Sequence, residues 1–332
     1  MQGNTRTSPT KDAGHSWSPH VMSWMKQPLS QAVSAAERLR MWLLKQSWFQ
    51  SVLMPMLPRQ LRWLLRRVYL APVDLGDRLL GRRDPGIPAK AHNFTGSAAP
   101  DFTSRGDALV QSLAELAGMT PSSRVLDVGC GVGKLAIPMT RFLDANGRYE
   151  GLDIVPEGIE WCKKHIVGPH DNVHFTLADV YNKEYNPRGR VQPVDYRFPY
   201  DDETFNVVIL YSVFTHMLPD DVDRYVGEIA RVLTADGHAF VSYYIINPES
   251  LRLMRSSGCA MQFKHNLGPH WTRNGKVPEL GIAYNEGYIH DVYVKHGLSL
   301  PKFYGGNWCG RAGYWPDGSG FGDQDVLVAR KQ

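Results

Sequence analysis

Residues 125–133 read Val125-Leu126-Asp127-Val128-Gly129-Cys130-Gly131-Val132-Gly133. A short apolar run with one acid in it passes into three glycines at alternate positions. Glycine lets the backbone turn tightly and approach a ligand where a Cβ would collide. The stretch therefore predicts a buried strand, a ligand-binding turn and a helix whose first amides are free to bind. Dinucleotide enzymes use a similar loop, but their fingerprint is G-x-G-x-x-G, whereas the spacing here is G-x-G-x-G. Asp127, just before the loop, would repel a pyrophosphate and attract an ammonium group.

Outward from this loop, helical and strand periods alternate, as in a doubly wound α/β sheet. Strands are expected at 125–128, 149–153, 173–177, 205–211 and 239–246, with helices at 105–118, after the glycine turn, at 156–166 and at 221–233. A helix at 287–296 and strands at 300–304 and 325–329 close the pattern. Asp153 ends the second strand, where a carboxylate can accept both hydroxyls of a ribose. Asp179 follows the third, where a side chain can meet an adenine edge. Any one of these acids is also an ordinary cap, and any one glycine an ordinary turn residue. Their order on successive strand ends is what argues for a site.

The segments 125–134, Gly151-Leu152-Asp153-Ile154, Ala178-Asp179-Val180, 205–217 with Thr215-His216-Met217, and 228–241 together resemble the class I S-adenosylmethionine-dependent methyltransferases, of the uncharacterised bacterial small-molecule type. The resemblance covers about residues 100–330. It implies a seven-stranded, mostly parallel Rossmann-like sheet with an antiparallel last strand, and S-adenosylmethionine as cofactor. It further implies that Asp127, Gly129, Gly131 and Gly133 hold the methionine part and Asp153 the ribose. Ile154, Asp179 and Val180 would surround the adenine, with Tyr211 at the end of the fourth strand also against the cofactor. Residues 181–199 are longer and more aromatic than a tight crossover needs. They are read either as a substrate loop carrying Tyr185 or as an ordered surface insertion.

The sulfonium of such a cofactor already makes the methyl electrophilic, so the protein has mainly to align donor and acceptor. An acceptor hydroxyl must also lose a proton. His216, just past the fourth strand, is the candidate base, because ligands gather at the carboxyl edge of open α/β sheets and histidine titrates in the useful range. A histidine that merely orients the loop is the plainer reading. Tyr243 and Tyr244 either line an acceptor pocket or alternate between pocket and core. Trp308 and Arg311, in a glycine-rich segment, suit an anionic or sugar acceptor, or a hairpin. His265, His270 and the cysteines Cys130, Cys162, Cys259 and Cys309 have no metal-site spacing, so no metal is expected.

The 332 residues carry a net charge of +4, unevenly placed: residues 26–83 hold 11 Lys or Arg against three acids. The remainder is net negative, which argues against nucleic acid on the catalytic face. Residues 1–30 read as a disordered tail, 31–100 as a basic, Trp-rich helical extension and linker, and 101–332 as the catalytic domain. Leu61, Leu64, Leu65 and Val68 share one side of a short helix between Pro58 and Pro72. Residues 36–70 either touch a membrane surface peripherally or pack as a lid with solvated arginines. No apolar run of about 18 residues or more spans a bilayer, and residues 1–30 lack a secretory signal, so a cytoplasmic location, or the inner face of the membrane, is expected. Three functions stand: methyl transfer to an oxygen of a glycan, lipid-linked or natural-product acceptor; a non-catalytic cofactor-binding or scaffold protein; and a nicotinamide-dependent oxidoreductase.

Overall fold

The computed structural model describes residues 59–82, 84, 86–93, 99–168, 170–256, 259, 261–314 and 323–332. The tail at 1–30 and the stretch around Trp42, Trp48 and Phe49 lie outside the described residues. Two compact units divide between Asp84 and Pro85.

In the first unit, α1 (Arg59–Leu79) runs seven residues past Pro72, where the sequence predicted its end. Proline removes one N–H and frees the carbonyl four residues earlier. Pro72 and Val68 both lie on the exposed side of the helix, where water can take up that carbonyl.

The second unit is built on a seven-stranded sheet in the order β10-β11-β5-β4-β1-β2-β3. Its strands are β1 (Arg124–Val128), β2 (Arg148–Asp153), β3 (Val173–Leu177), β4 (Phe205–Leu210), β5 (Leu233–Tyr243), β10 (Lys302–Tyr304) and β11 (Asp325–Arg330). β1 to β5 are parallel, and β11 runs antiparallel between β5 and β10. The sheet is the one implied by the resemblance, with two strands from the C-terminal part completing it.

Both faces are covered, so strands such as β4 read as almost continuous apolar runs. On one face α2 (Ala99–Ala117), α3 (Ala136–Phe142) and α4 (Pro156–His165) pack over Val125, Tyr149, Phe175, Val207 and Phe240. On the other, α5 (Pro219–Val232) and α7 (Glu286–Lys295) pack over Leu126, Leu152, Val208, Leu210 and Tyr243. β5 begins six residues earlier than expected, directly after α5, because Asp236 at φ 64° lets the chain bulge beside β4 before Ala239.

The poorly periodic region beyond β5 forms a second sheet in the order β6-β9-β8-β7, from β6 (Ile245–Ile246), β7 (His265–Asn266), β8 (His270–Thr272) and β9 (Ile282–Asn285). Between β6 and β7 runs α6 (Pro248–Met254). Asp325 fixes this cap to the main sheet. Its fully buried carboxylate accepts from the amides of Ile245 and Gly306, both at 2.8 Å, from Trp308 Nε1 at 2.7 Å and from Arg311 Nη1 at 3.0 Å. Burial pushes its pKa up to about 6 despite Arg311.

Asp325→Ala leaves the Arg311 guanidinium without this carboxylate and is expected to cost about 3–5 kcal/mol. The midpoint of denaturant unfolding monitored on the second unit measures it; a loss under 1 kcal/mol would show that Asp325 does not anchor the cap.

Candidate cofactor and acceptor site

Side chains alternate across a strand, so Val125 and Asp127 share one face of β1 while Leu126 and Val128 share the other. The register of β1 with β2 sets Asp127 against Gly151. A Cβ at Gly151 would lie 2.7 Å from the Phe175 ring and 3.0 Å from Cys130 Sγ, which explains the glycine there. Asp127 is only 4% exposed, and Tyr149 donates its hydroxyl to it at 2.6 Å. Among the described residues this is its one hydrogen bond. Burial pushes the Asp127 pKa up to about 7, with neighbouring Asp153 adding to the rise and Lys134 opposing it. A buried carboxylate with so little compensation matches a cationic ligand group.

The glycine loop is shaped by its own packing. Gly129, Gly131 and Gly133 have φ of 86°, 59° and 78°, which favour glycine. A Cβ at Gly129 would meet Val213 Cγ2 at 2.4 Å, and one at Gly133 would meet Ile166 Cδ1 at 2.5 Å. The first amides of the loop itself are already paired. Leu152 O accepts from the amides of Gly129 and Cys130, Asp153 Oδ2 accepts from Gly131 at 2.7 Å, and α3 does not begin until Ala136. Asp153 also accepts from the Val155 amide at 2.8 Å through Oδ1, so one carboxylate joins the loop to the start of α4. Ile154 beside it is half-buried against the core.

At the end of β3, Asp179 is partly exposed and ion-paired with Arg190, which holds its carboxyl below the usual carboxylate range. Val180 is buried, and its backbone pairs with Val191, closing residues 181–190 into an ordered loop. Asn182 Oδ1 accepts from the amides of Glu184 and Tyr185 at the loop's tip. This sets the Tyr185 ring edge-on to His216, with centroids 5.7 Å apart. The loop is therefore an ordered insertion that reaches the candidate base.

After β4, Tyr211 is half-buried and Ser212 takes a left-handed φ of 61°, a strained state that clusters at functional sites. A closed ring holds it there: the Ser212 amide donates to Ser242 Oγ at 2.7 Å, Ser242 donates to Gln324 Oε1 at 2.6 Å, and Gln324 Nε2 donates to Ser212 Oγ at 2.7 Å. The ring seats Val213 over Gly129. Sequence reasoning gave none of the three residues a role, since their partners lie 30 to 112 positions apart; Ser212 falls within the segment 205–217 but carries no local signal of this ring.

His216 ends the short turn Phe214–His216. Its Nδ1 lies 2.8 Å from the Glu279 carbonyl, which can only accept, so Nδ1 carries the proton and Nε2 keeps its lone pair. Burial pushes the His216 pKa down, while the Glu279 bond and nearby Glu184 oppose that. Glu279 belongs to the cap, and the Tyr284 hydroxyl on β9 donates to Met217 O. The cap thus grips both His216 and the residue after it.

Three expected acceptor residues stand elsewhere. Tyr243 is fully buried, its hydroxyl 3.1 Å from that of Tyr293, because residues alternate on β5 and its side belongs to the core; Tyr244, on the opposite side, packs on Phe263 and Trp308 beneath the cap. Trp308 and Arg311 point to Asp325, which fixes both in the cap's anchor.

Residues 126–241 match the methyltransferase domain family. Over 152 residues the chain is 26% identical to methyltransferase GfsG of Streptomyces halstedii, covering 45% of this chain and 48% of that one. It is 31% identical over 140 residues to the sterol 24-C-methyltransferase erg6 of Schizosaccharomyces pombe, covering 40% and 32%. With the ubiquinone biosynthesis O-methyltransferase of a Bradyrhizobium strain it shares 28% identity over 130 residues, covering 39% and 43%. The chain spans less than half the length of these relatives. Together with the sheet order and the glycine loop, these matches support a class I S-adenosylmethionine-dependent methyltransferase domain around residues 126–241, with S-adenosylmethionine as cofactor. The buried Asp127, the glycine cradle and Asp153 suit that cofactor.

Gln324→Leu removes two links of the ring and leaves the buried Ser242 hydroxyl without its acceptor, at about 1–3 kcal/mol. With Val213 no longer fixed over Gly129, S-adenosylhomocysteine is expected to bind roughly tenfold more weakly by calorimetry, a shift of about 1.4 kcal/mol. Unchanged affinity would separate the ring from the cofactor loop.

Proposed function

We propose that the chain moves the methyl group of S-adenosylmethionine to an oxygen of a small molecule, with His216 taking the acceptor's proton. The observation that carries this is the state of His216: Nδ1 is committed to the Glu279 carbonyl, and burial favours the neutral ring. The O-methyltransferase among the relatives supports an oxygen acceptor, and the net negative charge outside residues 26–83 supports a small molecule over a nucleic acid. A glycan, lipid-linked or natural-product hydroxyl has the required chemistry. Residues 101–332 form the catalytic domain in this reading, working in the cytoplasm, with the basic segment 36–70 making a peripheral membrane contact.

When bound, S-adenosylmethionine supplies an electrophilic methyl on a positively charged sulfur. Asp127 would receive the ammonium of its methionine part, with Gly129, Gly131 and Gly133 allowing the close approach. Asp153 orients the ribose while staying tied to the Gly131 amide, and Ile154, Asp179 and Val180 border the adenine, with Tyr211 beside the cofactor. Tyr185 and the cap segment at Glu279 exclude water around His216. Nε2 would accept the proton of the acceptor hydroxyl as its oxygen takes the methyl, leaving a protonated imidazole. General-base assistance of this kind contributes roughly 10²–10⁴-fold.

His216→Ala is accordingly expected to lower labelled-methyl transfer into cell extracts by about 10²-fold or more, with S-adenosylhomocysteine affinity unchanged. Equal activity would remove the base. Because the folded pKa of His216 is depressed, wild-type activity should hold at neutral pH and fall only as the pH drops below the usual histidine value.

Replacing Asp153 by Ala should weaken S-adenosylhomocysteine binding by roughly 1–3 kcal/mol; full affinity would remove it from the ribose site. Asp127, raised to about 7, should release a proton when the cofactor's ammonium arrives. Below pH 7 that proton must be displaced, so affinity should fall as the pH drops. Calorimetry in buffers of different ionisation enthalpy detects the release, and identical heats in all buffers would rule it out.

A further inference from the structure

Helix α1 is inverted relative to the surface helix of a soluble domain. Such a helix buries its apolar stripe and exposes its charged side. In α1, Leu61, Leu64, Leu65, Val68, Leu75 and Leu79 recur at intervals that about 3.6 residues per turn bring to one side. All six are exposed, from 40% at Leu61 to 63% at Val68, and Pro72 continues the stripe between them. The opposite side carries Trp63, Arg66, Arg67, Asp74 and Asp77, all half-buried, together with the buried Leu70 and Val73. The Arg67 guanidinium lies over the Trp63 ring, 5.9 Å from its centre.

Six large aliphatic side chains on one side of a five-turn helix form a continuous apolar strip of the kind that marks an interaction surface. Its charge says what covers it. Arg66 and Arg67 face the other side, whereas Arg78 is exposed near the C-terminal end of the strip and Arg82 is exposed just beyond it. Exposed arginines at the end of an aliphatic strip match a surface that is negatively charged outside and hydrocarbon within, and each basic residue near such a surface adds about 1 kcal/mol. Among the described residues no helix is long and apolar enough to cross a membrane, so α1 would lie in the interface plane.

We infer that the Leu61–Leu64–Leu65–Val68–Leu75–Leu79 side of α1 docks on an anionic phospholipid surface. This deepens the peripheral-contact part of the proposed function. It moves the contact toward residues 61–79 and extends the apolar side through Leu75 and Leu79. The inference does not depend on the methyl-transfer reading.

The test uses the full chain and sedimentation with vesicles of phosphatidylcholine alone or mixed equally with phosphatidylglycerol. The wild type should sediment with the mixed vesicles and be released by salt, as screening of the arginines requires. The double variant Leu64→Ser, Val68→Ser should bind at least tenfold more weakly, since each fully buried aliphatic side chain contributes on the order of tenfold or more. Its thermal midpoint should not move, because both side chains are exposed. A wild type that ignores both vesicles overturns the inference. So does a double variant that binds as well as wild type, one that is markedly destabilised and so had the strip packed inside the protein, or one that converts a dimer to a monomer without lipid and so had a second copy on the strip. S-adenosylhomocysteine affinity measured on the same samples keeps the readings apart: a wild type that binds S-adenosylhomocysteine but neither vesicle overturns this inference alone, and a wild type that binds the mixed vesicles but no S-adenosylhomocysteine overturns the cofactor site alone.

Discussion

The Asp153 carboxylate, accepting from the Gly131 amide on one side and the Val155 amide on the other, joins two parts of the chain that a parallel sheet otherwise leaves separate at their ends. A βαβ unit fixes the strands through the ladder, which here reaches the first turn residues as Leu152 O accepts from Gly129 and Cys130 but goes no further. Beyond it the acid that closes β2 supplies the link, holding the glycine loop after β1 against the start of α4. Asp127 stands on the same face behind that loop, buried beneath Tyr149. Asp153 stands close enough to raise the proton affinity of Asp127, and two neighbouring carboxylates are costly to bury together. A ligand bearing a positive charge and paired hydroxyls offsets that cost, and the cofactor of this family bears both.

The acceptor side is organised by longer connections. Ser212 leaves β4 in a left-handed conformation, and the ring through Ser242 and Gln324 draws together the ends of β4 and β5 and the entry to β11. From that fixed point the turn carries His216 under the cap, where Glu279 selects its tautomer and Tyr284 secures Met217. Asp325, next to Gln324, anchors the cap by its first strand and by Trp308 and Arg311. The dipeptide Gln324-Asp325 therefore serves both ends of the same arrangement, one residue toward the base and one toward the cover above it.

Much of this was legible in the chain. Strands such as Val173–Leu177 and the glycine turn carry local signals of period, acid and glycine that tertiary contacts do not override. The cap was not legible, because strands of two to four residues have too few positions for alternation to register. Tyr243 and Tyr244 show the limit of a period-two pattern: it says that neighbours face opposite ways, but not which way holds the pocket. Pro72 marked an end for α1 only on the assumption that its lost hydrogen bond is costly, and on an exposed side that cost is small. The glycine loop's amides illustrate a different gap. Their partners, Leu152 O and the Asp153 carboxylate, come from another strand, so local sequence could not reveal that they were already taken.

The central claim is that Asp127, Asp153 and the glycine loop form a site for S-adenosylmethionine rather than for a dinucleotide. Calorimetric titration of the purified chain with S-adenosylhomocysteine, with NAD as comparison, tests it most directly. The account predicts one site for S-adenosylhomocysteine and no heat from NAD. Tighter binding of NAD, or no binding of S-adenosylhomocysteine by well-folded protein, would contradict it.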